Sequence, residues 1–390
     1  MSWWGSAIAR YVPRRLSPAV KELYWSTVIM NFSLSMALIF EPVYLYQKGV
    51  PLPHIMLFYM AVYGLYFFLI PLGARFANKF GYEHSMFYAS FFQIAYYVVL
   101  LLNPTGWYLF LLAPLMYALQ KSLYWPAYHA NFAQYSDPTE EGREVGAVTA
   151  TAALMYVIGP IFGGLVASQF GFFGLFTVIS VLMIISNWPM LRTKEIFKPG
   201  GFSWAGAYSR LFSKINRRVL FGVMGYGEEL LVLTVWPIFI YAVVKSDLSA
   251  LGALVTFAAL ATTVITLVIG GQTDVSRDRE ARKRLLRFGA ISYVGAWIAR
   301  LFVSVPIHIF GVETWSRVSK DALSVPLIAI NYDQAKELGS LERVTLFEMA
   351  LVIGKILAAG LAALLFFLFP GSWSAVFALG ALFSLMYLIF

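Results

Sequence analysis

Cysteine is absent from the 390-residue chain. That excludes disulfides, thiolate metal sites and cysteine nucleophiles. Histidine is scarce: His54, His84, His129 and His308 stand apart in sequence without metal-ligand spacing, so no metal site is expected. Charge is scarce too. Asp, Glu, Lys and Arg make up 13% of the residues, against about 25% in an average soluble domain. No nucleotide-binding Gly-rich loop appears, which leaves ATP hydrolysis unsupported as a power source. No Gly-x-Ser-x-Gly appears either. Ser122 and His129 lie seven residues apart on one helix, too far for a direct hydrogen bond. Neither an enzyme nor a cofactor is expected.

What the chain has is apolar surface. It is 60% hydrophobic with a mean hydropathy of +0.72. A transmembrane helix needs about 20 apolar residues, and the hydropathy pattern predicts an all-α membrane protein of twelve such spans. Spans 1 to 6 are expected near Leu23–Tyr46, His54–Leu72, Ser85–Leu102, Trp107–Phe132, Val145–Ser168 and Phe172–Leu191. Spans 7 to 12 are expected near Val219–Val243, Leu248–Ile269, Leu285–Val305, Ile307–Asn331, Thr345–Phe369 and Trp373–Phe390. Residues 1–20, with Trp3, Trp4, Arg10, Arg14 and Arg15, suit an interfacial anchor rather than a signal peptide. Residues 192–217 form the longest polar link and divide the chain into bundles at 21–191 and 218–390.

The formal charge of +9 invites a nucleic-acid reading. The basic residues, however, sit in alternate links, and the 8–9 link alone carries Arg277, Arg279, Arg282, Lys283 and Arg284. The positive-inside rule explains this pattern and places both termini in the cytoplasm. A multi-pass protein of the plasma membrane follows, with no nucleic-acid partner.

Span 10 breaks the apolar pattern. Glu313, Arg317, Lys320, Asp321 and Ser324 recur at three- or four-residue spacing and so form one helical stripe. Ionisable groups at the bilayer centre cost about 2.5–3.5 kcal/mol each on insertion scales, so they face a partner or a water-filled cavity. A structural ion-pair network is the plainer reading; the polar wall of a transport pathway is the sharper one.

The stripe has a counterpart. Tyr117, Gln120, Lys121, Tyr124, Pro126 and Asn131 of span 4 align with Arg317, Lys320, Asp321, Ser324, Pro326 and Asn331 at an offset of 200. Glu41-Pro42 of span 1 likewise aligns with Trp236-Pro237 of span 7. Both halves begin on the same side, which makes the repeat parallel, about an axis along the membrane normal.

Two six-span halves with these features resemble the major facilitator superfamily. The resemblance covers essentially the whole chain after residue 20. It implies two pseudo-symmetric six-helix bundles, with spans 1, 4, 7 and 10 lining a central cavity. The stretch from Ala74 to Glu83, with Asn78, Lys79 and Gly81, is similar to a worn copy of the family's motif between spans 2 and 3; Asn78 replaces its acid. The second-half copy, Gly270-Gly271-Gln272-Thr273-Asp274, keeps the acid. In the family this motif fastens the cytoplasmic gate. Gly159-Pro160-Ile161-Phe162-Gly163-Gly164 is similar to the antiporter motif of span 5, with Met155 where a second glycine is expected. Independently of the family, Pro160 removes a backbone donor and the glycines permit close helix approach.

The embedded acids are Glu41, Glu228, Glu229, Glu313, Asp321 and Glu348; the embedded bases are Lys121, Arg317, Lys320 and Lys355. Mixed signs argue against an ion-selective ring and for charges that exchange partners during a cycle. Adjacent Glu228 and Glu229 point about 100° apart, so only one of them faces a cavity squarely. Burial favours protonation of a carboxyl and a neighbouring cation opposes it, so partner exchange can load and release a proton. Glu229 and Asp321 are the first candidates, with Lys121 and Lys320 as counter-ions or substrate anchors and Lys121 reaching toward the C-terminal half. The expectation is a monomeric secondary active transporter of a small organic solute, working by alternating access. Coupling to H⁺ (or Na⁺) is expected, with efflux or antiport ahead of uptake. A lipid or amphiphile flippase and a non-transporting receptor or scaffold are the alternatives.

Overall fold

The computed structural model describes residues 18–102, 106, 108–135, 141–189, 204–213, 217–270, 279–335 and 340–389. Among these residues the chain is helical and contains no strand. Most of the interfacial segment at 1–20, much of the polar link and Asp274 lie outside them, as do the side chains of His129 and Asn131.

The first span is built from α1 (Pro18–Ala37) and α2 (Phe40–Gln47), interrupted at Leu38 and Ile39. Next come α3 (Leu52–Phe80), α4 (Tyr82–Leu102), α5 (Tyr108–Tyr135) and α6 (Glu141–Asn187). The short α7 (Trp204–Leu211) belongs to the polar link, and its Tyr208 hydroxyl donates to the Phe67 carbonyl of α3 at 3.3 Å. In the second half, α8 (Arg217–Val223) and a 3₁₀ turn at Met224–Tyr226 lead into α9 (Gly227–Val243). After α10 (Leu248–Gly270), α11 (Arg279–Ala299) runs into a 3₁₀ turn at Arg300–Phe302. The remaining helices are α12 (Pro306–Ala335), α13 (Ser340–Leu368) and α14 (Trp373–Leu385).

Local chemistry sets these boundaries. Pro51, extended, with Pro53 in the first turn, starts α3. Gly81 at φ 107° ends it, in backbone space that a side chain would disfavour. Gly171 at φ 66° breaks α6 into two antiparallel-capable pieces where the sequence predicts the junction of spans 5 and 6. The Asp247 carboxylate caps α10 by accepting from the backbone N–H groups of Ser249 at 2.8 Å and Ala250 at 3.1 Å.

Eight helical stretches among the described residues are long and apolar enough to cross a membrane; one of them is the broken 34-residue run Leu154–Asn187. Helices α5 and α12 are 28 and 30 residues long yet fall outside that set by composition. In α12 the cause is plain: Glu313, Arg317, Lys320 and Asp321 interrupt its middle. Side chains such as Phe68, Phe91, Phe173, Phe288 and Ile291 are exposed on the outer surfaces, as expected where the surrounding solvent is hydrocarbon.

Helix pairing repeats between the halves. In the first, α1 packs on α6, α3 on α5, and α4 on α5. In the second, α9 packs on α13, α10 on α12, and α11 on α12. Two seams join them, α3 against α13 and the first piece of α6 against α10. A repeat of six helices maps each seam onto the other.

The α6–α10 seam is close-packed. A Cβ on Gly164 would strike the Leu248 carbonyl, and one on Gly252 would strike the carbonyl of Pro160. The Ile161 N–H donates to Thr256 Oγ1 at 3.1 Å across the seam. On the other side of α6, a Cβ on Gly159 would strike Ser35 and one on Gly163 the Met36 carbonyl, both in α1. The Gly/Pro motif of span 5 thus holds α6 against two helices at backbone distance.

Candidate functional site

A cavity of about 590 Å³ lies between the halves. Its walls come from the first span and from α3, α5, α6, α9, α10, α12 and α13, with Tyr293 of α11 behind. Nine of the twelve pathway residues expected from sequence line it: Glu41, Lys121, Glu229, Glu313, Arg317, Lys320, Asp321, Glu348 and Lys355.

On α5 the lining residues Tyr117, Lys121 and Trp125 recur every four residues, the period of one helix face. Gln120 and Tyr124 sit one position earlier, about 100° away, and turn into the bundle. Gln120 is buried, and Tyr124 stacks on Tyr128 at 5.6 Å. Neither lines the cavity. Helix periodicity counted them in the polar stretch but did not place them on its wall.

The first-half acid is Glu41, buried where Phe40-Glu41-Pro42 starts α2. Two tyrosines of α4 hold it: the Tyr97 hydroxyl donates to Oε1 at 3.0 Å and that of Tyr96 to Oε2 at 3.5 Å. Lys121 lies 4.3 Å from the centre of the Tyr117 ring and 5.6 Å from that of Tyr63. Among the described residues no carboxylate approaches it within ion-pair range. Lys121 was expected to reach toward the C-terminal half. Instead its ammonium rests on ring faces of its own half, where the quadrupole attracts a cation without an acid.

Three second-half acids, Glu313, Glu229 and Glu228, are held by charge. Glu313 accepts from Trp236 Nε1 at 2.8 Å and Arg317 Nε at 2.7 Å, and Arg300 stands 3.9 Å away. Arg300, almost fully buried, lies against the rings of Trp297 and Trp236 and donates to Ser316 Oγ at 2.8 Å. Its Nε and second terminal nitrogen find no hydrogen-bond partner among the described residues. Sequence reasoning missed Arg300; the signal was an arginine deep inside the predicted span 9, beyond Arg287 at that span's basic start. At the offset of 200, Tyr97 and Leu100 correspond to Trp297 and Arg300.

Glu228 and Glu229 diverge as adjacent helical positions must. Glu229 lines the cavity and pairs with Lys355 at 2.6 Å. Glu228 is fully buried behind it, paired with Lys320 and accepting from Tyr387 at 3.0 Å and from Tyr293. Lys320 also lies over the ring of Tyr226 at 4.4 Å. The expected pathway acid Glu228 is therefore a counter-ion one layer back. Glu348 accepts from the Tyr66 hydroxyl at 3.1 Å, and Lys355 lies 5.2 Å from the Tyr63 ring, so tyrosines of α3 meet charges of α13 across the α3–α13 seam. Among the described residues Asp321 accepts only from Thr266, at 3.4 Å.

The gate motif is plainer. Asn78 and Lys79 occupy the last turn of α3, with Lys79 over the Phe80 ring at 5.0 Å. The Gly81 N–H donates to the Ala77 carbonyl at 3.0 Å. Gly270 is the last residue of α10. Among the described residues no group of His, Asp and Glu could hold a metal ion.

A family model described as Major Facilitator Superfamily matches residues 23–312. No curated protein matches the sequence. Among solved structures, a crystal structure of a point mutant of the nucleoside transporter NupG is similar at a TM-score of 0.72 and 13% identity. The match covers 95% of this chain and 98% of that one, and at this identity it shows the fold alone.

Proposed function

This chain belongs to the major facilitator superfamily, and from that premise we propose that it moves a small organic solute by alternating access, driven by a proton gradient, in a monomer of twelve spans with both termini cytoplasmic. It is a transporter of that family and not an enzyme. The observation that carries the reading is the cavity: about 590 Å³, walled by helices of both halves, and lined by charged side chains of both signs. A receptor or scaffold has no need for so many charges lining one cavity, because each costs desolvation energy that only pairing or hydration offsets.

Proton coupling rests on the two acids differently. Asp321 faces the cavity with a single hydroxyl donor, so it is open to water and to proton exchange. Glu229 is held by Lys355, and its release requires that pair to part as the halves move. The plasma membrane is the proposed location, and export in exchange for protons the proposed direction. Both seams are closed by packing, which favours a water-soluble cargo over a lipid entering from the side. A nucleoside, the cargo named for the similar transporter NupG, belongs in the first panel of solutes tested.

The test is flux into liposomes containing the purified protein, with labelled solute classes under imposed proton and sodium gradients. Proton-driven accumulation of one class is expected. Asp321→Asn and Glu229→Gln should lose gradient-driven flux while keeping exchange, with Asp321→Asn requiring a higher solute concentration if that carboxylate also touches the solute. Wild-type gradient coupling in both variants would remove the assignment, and flux driven by sodium alone would replace the coupling ion.

A further inference from the structure

Most charges in the cavity are already answered. Glu313 is matched by Arg317 and Arg300, Glu229 by Lys355, and Lys320 by Glu228 behind the wall. Three cavity-lining charges have no opposite charge within 4.0 Å among the described residues beyond Glu41: Lys121, Asp321 and Glu348. Two of them are a matched set. Lys121 and Asp321 stand at equivalent positions of the repeat, 200 apart, one helical turn past Tyr117 and Arg317 and one turn before Trp125 and Val325. Both lie inside helices carrying a proline five residues further on, Pro126 and Pro326. The structure turns both positions into the same cavity. Duplication has therefore placed a cation and an anion facing one space from opposite halves, each without an ionic partner.

We propose that the solute is a zwitterion, with a carboxylate or similar anionic group bound by Lys121 and an ammonium group bound by Asp321. This rests on the cavity being the transport site and names the class of cargo it takes. A purely cationic cargo is disfavoured because it would leave Lys121 without an anion and because three of the six lining tyrosines already carry a cation: Lys121 lies over Tyr117 and Tyr63, Lys355 over Tyr63, and Lys320 over Tyr293. A purely anionic cargo would satisfy Lys121 but add a like charge beside Asp321 and leave that carboxylate without a directly bound cation. A zwitterion satisfies both ends and leaves the existing pairs intact. Its carboxylate would draw the Lys121 ammonium from ring faces to a stronger, charge-assisted partner.

The test uses full-length protein and two scaffolds, phenylalanine and diphenylalanine, each in three forms: zwitterion, C-terminal amide (cation only) and N-acetyl acid (anion only). Binding is read by calorimetry, with melting temperature as a folding control. The zwitterion should bind about tenfold or more tightly than either single-charge form, the scale of one lost charged hydrogen bond. Lys121→Met should bring the zwitterion down to the level of the amide, and Asp321→Asn to that of the N-acetyl acid. The exchange Lys121→Asp with Asp321→Lys should restore the zwitterion preference that either single charge reversal destroys. Equal or tighter binding of the amide or the N-acetyl acid overturns the proposal, and so does failure of every zwitterion to bind up to millimolar concentration. Flux in liposomes is scored separately. Selective zwitterion binding without flux sinks transport but keeps the site, while flux of a single-charge solute does the reverse.

Discussion

The acid of the first half and the principal acid of the second half are held by different chemistry. Glu41 is gripped by neutral hydroxyls, Tyr97 at 3.0 Å and Tyr96 at 3.5 Å. Glu313 is gripped by an indole at 2.8 Å and by two guanidinium groups. The backbone around them is shared, with a proline after Glu41 and after its counterpart Trp236 and matching helix pairings in each half. Duplication therefore preserved how the helices meet and let the polar contents drift. The drift has a direction: the C-terminal half became an ion-pair network and the N-terminal half a tyrosine-lined wall with a lone lysine. A carboxylate held by hydroxyls tolerates neutralisation, because a protonated acid or an amide still accepts a hydrogen bond. A carboxylate between two cations does not, because its loss strands buried charge.

That contrast can be broken by substitution. The largest effect is expected where one member of a buried pair is removed. Glu228→Gln leaves Lys320 without its carboxylate, which should cost about 3–5 kcal/mol. The variant should melt well below the parent in detergent, and adding Lys320→Met should recover much of the loss. A double variant no more stable than the single would mean the pair does not act as a unit. Next comes the seam. Gly252→Val places a side chain against the Pro160 carbonyl, and overpacking of this kind costs about 1–3 kcal/mol. Lower yield of folded protein and lost flux are expected, whereas the same change at the unobstructed Gly64 should be tolerated.

Tyr97→Phe comes third. It removes one hydroxyl donor from Glu41, worth about 1–3 kcal/mol when an acceptor is left buried. Glu41→Gln should cost less than Tyr97→Phe. The reverse order would show that Glu41 depends on its charge as Glu313 does, and the contrast between the halves would fall. The smallest effect is expected at Lys79→Ala, an exposed residue whose loss should change the melting point by no more than about 0.5 kcal/mol of stability.

Much of this was legible in the sequence. Helices cover every predicted span that the described residues reach, and eight stretches among them are long and apolar enough to cross a membrane; α5 and α12 carry too much polar side chain for composition alone to mark them. The α12 stripe was visible because Glu313, Arg317, Lys320 and Asp321 share one face, and all four line the cavity. The sequence could not say which way a stripe turns. Gln120 and Glu228 are one position away from Lys121 and Glu229, yet that single step of about 100° takes them out of the cavity. Nor could it reveal partners on other helices. Tyr59, Tyr63 and Tyr66 of α3 line the cavity, but in sequence they are tyrosines in an apolar run, indistinguishable from interfacial residues. The same holds for Arg300, whose role depends on Trp297 one turn earlier in its own span and on Trp236 and Glu313, brought to it by two other helices.

The absence of cysteine from the natural chain makes the central claim directly accessible. Leu233 of α9 lines the cavity, and Leu233→Cys introduces a single thiol there. The protein is inserted in liposomes, and a membrane-impermeant maleimide is applied to one side or the other, with and without an opposing proton gradient. Alternating access predicts that the thiol is modified from both sides, with the gradient changing the ratio of the two rates. Modification from one side only, under every gradient, would contradict the account and describe a static cleft.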